Sequence, residues 1–371
     1  MVYRRNGKEV ESLPEDFYSS RYYTDRMLEW IEQGRADGRP FFGYLAYTAP
    51  HDPLHAPAEY IAKYKGKYDQ GWDTLRQERL ASLKRLGMVP EDAVPFPRLP
   101  NVKAWDDLPP EEQALAARDM EVYAAMVDYM DEQIARVFEY LKEIGEYDNT
   151  MILFMSDNGA NGALPTSYPG QTEEHLASFD NSLENRGLPG SYIETGPGWA
   201  QASMSPSRMF KAYPTQGGIK APLLVKPAGK PAEPGVLNHS FVHVRDLMPT
   251  LLEVAGAQAP EAIEGREVLP MQGQSVLDLF EGKSELAYEG ADRVGYELFS
   301  FKAFIDGHWK IVRMPKPLGT GEWELFDLST DPAELDDLSA EQPDRLEEMV
   351  ALWEQYKEAN GVLDIVPQVA N

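Results

Sequence analysis

Residues 111–144 constrain the fold more than any other stretch. Met120, Tyr123, Val127, Met130, Ile134, Val137, Phe138 and Leu141 recur there at steps of three and four. That spacing draws one apolar stripe along a long helix, and Gly145 supplies a C-terminal stop. The stripe has to be buried against other elements. Two short apolar runs flank it, Phe41–Tyr47 and Met151–Met155, and both read as strands buried on two faces. Further elements repeat the alternation: a helix over 20–34 closing at Gly34, a possible helix over 74–87, a strand at 221–227 and a helix over 244–256 ended by Gly256. Strands alternating with helices predict an α/β fold, a doubly wound mixed sheet flanked by helices.

After about residue 285 the pattern changes. "RVGYELF", "KAFIDGHWKIVRM" and "EWELFDLS" read as strands, with Asp306-Gly307 as a hairpin turn. A closing helix over 342–360 presents Leu346, Met349, Val350 and Trp353 to a core. This predicts a small C-terminal α+β subdomain, an antiparallel sheet plus a helix. The expected division is 1–285 for the larger α/β domain and 286–371 for the subdomain.

The formal net charge is −26 and the pI about 4.6. Phosphate backbones are bound by basic surfaces, so no nucleic acid is expected as a partner. An anionic substrate would have to meet a local positive site. With no cysteine there is no disulfide, thiolate metal site or cysteine nucleophile. The first twenty residues lack the apolar core of a signal peptide, and no run reaches the roughly 18 apolar residues of a membrane span. The compartment stays open.

Chemistry concentrates at strand ends and in the Gly-, Pro-, Ser- and Asn-rich stretch 156–216. A loop region of that length is more often functional than structureless. In open α/β sheets ligands bind beyond the carboxyl ends of the strands, and the two apolar runs deliver His51 and Asp157-Asn158 there. Asp157-Asn158-Gly159 reads locally as a turn. It also offers a carboxylate and an amide oxygen, donors that suit a hard cation. His51 and His55 sit in a Pro-rich loop, where Pro53 disfavours a helical metal-binding pair. Lys211, near Gly217-Gly218, reads alone as a solvated lysine. Trp199, Tyr192 and Tyr168 could wall a pocket or simply pack.

Six ordered blocks carry a family resemblance: "PFFGYLAYTAPHDPLHAP", "YAAMVDYMDEQIARV", "ILFMSDNGANG", "FKAYPTQGGIKAPLLVKPAG", "HVRDLMPTLLEVAG" and "DGHWKIVRMP…WELFDLSTDPAE". Together they resemble the type I sulfatases of the alkaline-phosphatase superfamily, bacterial arylsulfatases in particular, from about residue 8 to about 360. The resemblance implies a sulfuric ester hydrolase acting on a small-molecule sulfate ester with Ca²⁺ and a formylglycine nucleophile. It implies that Asp157 and Asn158 are metal ligands. His51 would contact the sulfate or its leaving oxygen, and Lys211 a sulfate oxygen.

The family's nucleophile motif, Cys/Ser-x-Pro-x-Arg, has no counterpart. Met204-Ser205-Pro206-Ser207-Arg208 is the nearest approach, with methionine at the nucleophile position. The Asp-Asp pair that supplies the other metal ligands is also missing. The expectation is therefore a chain that begins partway into the fold, is inactive alone, binds Ca²⁺ weakly or not at all, and exposes a sheet edge suited to association. Two alternatives stand beside it: a non-catalytic sulfatase-like binding protein or half of a split enzyme, and a phosphate or phosphonate ester hydrolase. Ser-Asp-Asn-Gly argues against the last, because Asp followed by His would better suit a transition metal.

Overall fold

The structure is a computed structural model and describes residues 2–229, 235–290 and 292–363. The chain forms two compact units. One comprises Met1–Leu75, Lys103–Tyr147 and Ala163–Trp199; the other comprises Arg76–Val102, Asp148–Gly162 and Ala200–Asn371.

The first unit is built on helices α1 (Ser19–Gly34), α2 (Ala58–Tyr64) and α4 (Pro110–Glu143), while α3 (Gly71–Arg85) begins in it. The long helix is where the periodicity places it. Pro110 opens it with a preset φ, Glu111 and Glu112 complement the positive end of its dipole, and Gly145 follows its end at φ 77°. Its inward stripe, Val122, Ala125, Met126, Tyr129 and Met130, packs on Leu54, Tyr60, Ile61 and Ile193. Tyr129 meets Tyr18 and Tyr60 edge-on, at ring centroids 4.9 and 4.8 Å. A second cluster joins Trp72, Trp105 and Trp199, all within 5.6 Å of one another, and Trp199 Nε1 donates to the Ala116 carbonyl at 2.8 Å. Gly71 is obligatory beside it: a Cβ there would lie 2.1 Å from the Trp105 ring, and its φ is +80°.

Two local expectations are corrected in this unit. Helix α1 ends at Gly34 as expected, but Gly34 is not its left-handed cap: a 3₁₀ turn, Arg35–Asp37, follows, and the left-handed residue is Gly38 at φ 67°. The apolar run 41–47 forms no strand. Phe42 is 71% exposed and Tyr44 80%. An apolar run becomes a buried strand only where a neighbour pairs with its backbone, and no described segment does so here.

The second unit contains β1 (Ile152–Met155), α5 (Gln216–Ile219), β2 (Leu223–Lys226) and α6 (Leu247–Val254). Strands β1 and β2 pair antiparallel, Phe154 opposite Leu224. The expectation of burial on both faces fails for β1: Phe154 and Met155 are exposed, as is Leu224. The C-terminal part follows the sequence pattern closely. Strands β3 (Arg293–Leu298), β4 (Phe301–Asp306), β5 (Trp309–Arg313) and β6 (Trp323–Asp327) form one antiparallel sheet in the order β6-β5-β4-β3. Gly307, at φ 62°, makes the tight β4–β5 turn. Phe304, Ile311 and Leu325, aligned across three strands, bury against Met349 and Trp353 of α7 (Pro343–Asn360). The alternate residues Lys310, Glu324 and Phe326 are buried on the other face.

Candidate active site

Asp157 and Asn158 follow the C-terminal end of β1, where the strand breaks because the chain must turn. The Ser156 hydroxyl donates to the Asn158 carbonyl at 2.8 Å and closes that turn. Gly159 then runs hard against α5. Its N–H donates to the Gly218 carbonyl at 3.0 Å, and a Cβ on it would lie 1.8 Å from the Gly217 carbonyl oxygen. Glycine is required there by close backbone approach, not by a positive φ. The Asp157 side chain stands exposed and Asn158 is half-buried.

The segment carrying Lys211 is tied to this corner. The Lys211 N–H donates to the Ala160 carbonyl at 3.0 Å, three residues past Asp157. Met209 and Ala212, on either side, hold φ values of 59° and 77°. Non-glycine residues in that region are strained, and strain persists where surrounding contacts over-determine the backbone. The contacts come from the C-terminal sheet. The Arg208 carbonyl accepts from Gly217 N–H at 2.9 Å and from the Thr215 hydroxyl at 2.8 Å. The Arg208 guanidinium reaches Glu324 at 3.3 Å and lies over the rings of Phe96 and Phe326. Glu334 accepts the Gln216 N–H at 2.9 Å through Oε2 and meets Lys310 Nζ at 2.7 Å through Oε1, with both side chains fully buried. Burial pulls the Lys310 ammonium below its usual range and pushes Glu324 up. Two pairs of opposite charge thus clamp the loop from beneath.

His51 belongs to the first unit, so the four sequence-predicted residues divide between the units: His51 in one, Asp157, Asn158 and Lys211 in the other. The imidazole is exposed, but its Nδ1 is engaged by Asp52, by the carbonyl at 2.8 Å and the carboxylate at 3.1 Å. Both neighbours accept, so Nδ1 carries the proton in the neutral ring, and Nε2 is the atom that can take or give one. The Asp52 side chain is itself only 5% exposed. His55 Nε2 bonds the Ser191 carbonyl at 2.9 Å, which makes it a tie between loops and no partner to His51. Of the loop aromatics, Trp199 is packing.

An oxygen-donor set of Asp157 and Asn158 fits Ca²⁺ in kind and falls short in number, since Ca²⁺ takes six to eight ligands. Among the described residues no three or more acidic or histidine side chains gather as a metal site. Sequence reading missed Asp52, Glu324, Glu334 and Lys310. Charged residues at inward positions of β5 and β6 were the available signal for two of them; Asp52 had none beyond adjacency to His51.

Comparison with known proteins bears on the whole arrangement. A family profile described as Sulfatase matches residues 2–257, and one described as N-sulphoglucosamine sulphohydrolase, C-terminal, matches 209–360. An uncharacterized sulfatase of Schizosaccharomyces pombe is 43% identical over 354 residues, covering 94% of this chain and 63% of its own. An arylsulfatase of Klebsiella aerogenes is 42% identical over 282 residues, covering 76% of this chain and 60% of its own. A solved structure in complex with its substrate D-glucosamine-2-N,6-O-disulfate superposes with a TM-score of 0.54 at 19% identity, covering 95% of this chain and 71% of that one. That likeness shows a shared α/β fold ending in an antiparallel sheet and helix. The chain spans about three-fifths of the length of the two curated relatives. Among the described residues no helix is long and apolar enough to cross a membrane.

Proposed function

This chain belongs to the sulfatase family, and from that premise we propose that it carries one part of the active site of a sulfuric ester hydrolase. The substrate is a small-molecule sulfate monoester of the kind arylsulfatases cleave. The observation that carries the reading is the joining of Lys211 to the Asp157-Asn158 corner through Ala160. It ties the backbone that carries Lys211 to the strand end that carries the two oxygen donors, a cation and hard oxygen ligands being what a sulfate group and its metal need. In this reading Lys211 offsets negative charge on the transferring sulfuryl group. His51, as the imidazolium whose Nδ1–H is held by Asp52, gives its Nε2 proton to the leaving oxygen. Asp157 and Asn158 are two of the ligands of a Ca²⁺ ion, which when bound would neutralise sulfate charge. The remaining ligands and the formylglycine nucleophile come from outside these 371 residues, and the chain alone is inactive.

The exposed apolar side chains Phe42, Tyr44, Phe154 and Leu224 favour a second element of the reading. Association with a further strand-bearing polypeptide would cover them.

Translating the gene upstream of the Met1 codon, then assaying the longer product on 4-nitrophenyl sulfate, tests the proposal. The expected result is an in-frame Cys/Ser-x-Pro-x-Arg and sulfate release. His51→Ala should cut kcat by about 10²–10⁴ and Lys211→Ala by about 10²–10³. Ca²⁺ binding by the 371-residue chain alone should be weaker than about millimolar, because rigid ligand number sets affinity. Submicromolar binding, or faster turnover of 4-nitrophenyl phosphate than of the sulfate, would overturn it.

A further inference from the structure

The two-residue turn that joins β3 to β4 departs from the chemistry of its kind. Leu298 pairs with Phe301 across the hairpin, so Phe299 and Ser300 alone make the turn, and both hold positive φ, 54° and 70°. Turns with this geometry favour Asn-Gly and Asp-Gly. Two others in the chain, Asn6-Gly7 and Glu264-Gly265, place glycine second. A phenylalanine side chain is crowded in the left-handed region. Its ring gains little packing in exchange, being 69% exposed, and Leu298 beside it is 48% exposed. Backbone strain of this sort concentrates at ligand clamps and active sites.

The surroundings of the turn indicate what it meets. By register, Leu298 and Phe301 lie on the sheet face that carries Lys310, Glu324 and Phe326, the face that clamps the Lys211 loop. The Phe301 ring stacks on Tyr213 at 5.5 Å and 16°, and Tyr213 meets Phe210 at 5.6 Å. Phe210 in turn closes on Gly162, where a Cβ would lie 2.6 Å from its ring. Aromatic rings thus run, within the second unit, from the stretch after Asp157-Asn158, past Lys211, to the hairpin. Beyond Phe301 the run ends in Leu298 and Phe299, open to solvent. Lys211 and Tyr213 are separated by at most about 7 Å of chain, so the tip stands beside the loop that presents Lys211.

We propose that Leu298 and Phe299 are specificity-determining residues, receiving the apolar body of the ester's alcohol when its sulfate is at Lys211. The inference rests on the reading above for the position of the sulfate, and its test does not use turnover. A flat apolar group laid on Phe299 gains a ring contact and covers surface that water now wets. An Asn-Gly turn would relieve the strain and lose that contact, so stability and binding should move in opposite directions.

The 371-residue chain is titrated by saturation-transfer NMR with methyl sulfate, which carries a single methyl group, and with 2-naphthyl sulfate. The wild type should prefer the naphthyl ester by about fivefold or more. Phe299→Asn combined with Ser300→Gly should raise the thermal midpoint by about 2–4 °C. The same variant should weaken 2-naphthyl sulfate by about fivefold and leave methyl sulfate within about twofold. Phe299→Trp, which keeps a ring at the tip, should retain naphthyl binding. A turn variant that binds both esters as the wild type does, or that loses both equally, would overturn the proposal. So would a wild-type dimer that the turn variant converts to a monomer in sedimentation velocity, since that assigns the tip to a second copy of the chain. Unchanged methyl sulfate binding by Lys211→Ala, with the naphthyl loss in the turn variant intact, would remove the hydrolase reading of Lys211 and leave the tip assignment standing.

Discussion

Glu334 and Glu194 are both acidic side chains drawn out of water, in different units, and their surroundings treat them oppositely. Glu334 is fully buried with a counter-charge against one oxygen, Lys310 Nζ at 2.7 Å, and the Gln216 N–H donating to the other. Glu194 lines a cavity with one oxygen unanswered and two other acids nearby. The first arrangement holds a loop in place. The second leaves a carboxyl that keeps its proton, because no cation stands against it. The contrast teaches that burial alone does not assign a role to an acidic residue; the sign of the charge standing against it does.

The largest effect that could break this comparison is at Lys310. Lys310→Met leaves Glu334 as an uncompensated buried charge, and chemical denaturation should show a loss of about 3–5 kcal/mol. Adding Glu334→Gln to that variant should recover at least half, because the amide oxygen still accepts from Gln216. A single-variant loss below about 1 kcal/mol would mean that water reaches the pair and the clamp is not dry.

The next effect is at Glu194 and depends on pH. Its carboxyl lies at about 8 in the fold against an ordinary 4.5. Between those values the folded chain holds a proton that the unfolded chain has lost, so its stability falls as pH rises from about 4.5 to about 8 and levels off above. Glu194→Gln removes that slope. The variant should match the wild type near pH 4 and exceed it by roughly 2 kcal/mol near pH 9, a figure discounted for partial exposure. Parallel stability curves across that range would show that Glu194 is ionised and solvated.

The smallest effect gives the comparison its floor. Glu348 pairs with Arg345 at 2.7 Å on α7, yet its side chain is 57% exposed. Glu348→Ala should change unfolding free energy by less than about 0.5 kcal/mol. A larger loss would show that the exposed pair is coupled to Arg345's other partner, Asp306.

The elements readable from sequence share one property: their signal is local. The extent of α4, the stripe on α7 and the turn at Asp306-Gly307 depend on residues a few positions apart, whereas the buried face of α4 is Val122, Ala125, Met126, Tyr129 and Met130, with Val127 of the expected stripe exposed. The run 41–47 was misread because an apolar run states a demand for burial without naming the neighbour that meets it. For the candidate site, spacing alone left Asp157-Asn158 between a turn and a metal corner and left Lys211 as surface. Family resemblance supplied their roles, and the structure supplies the Ala160 link that draws Lys211 to the corner.

By itself, then, the sequence determined the class of fold, the hairpin and closing helix of the C-terminal part, and a net charge of −26. The tertiary structure alone decided which charges are buried and which are answered. Asp119 meets Arg186 across 67 positions, and Gln216 meets Glu334 across 118. Hydrogen bonds and ion pairs act over a few ångströms in space. No periodicity along the chain encodes which distant residues will be brought that close.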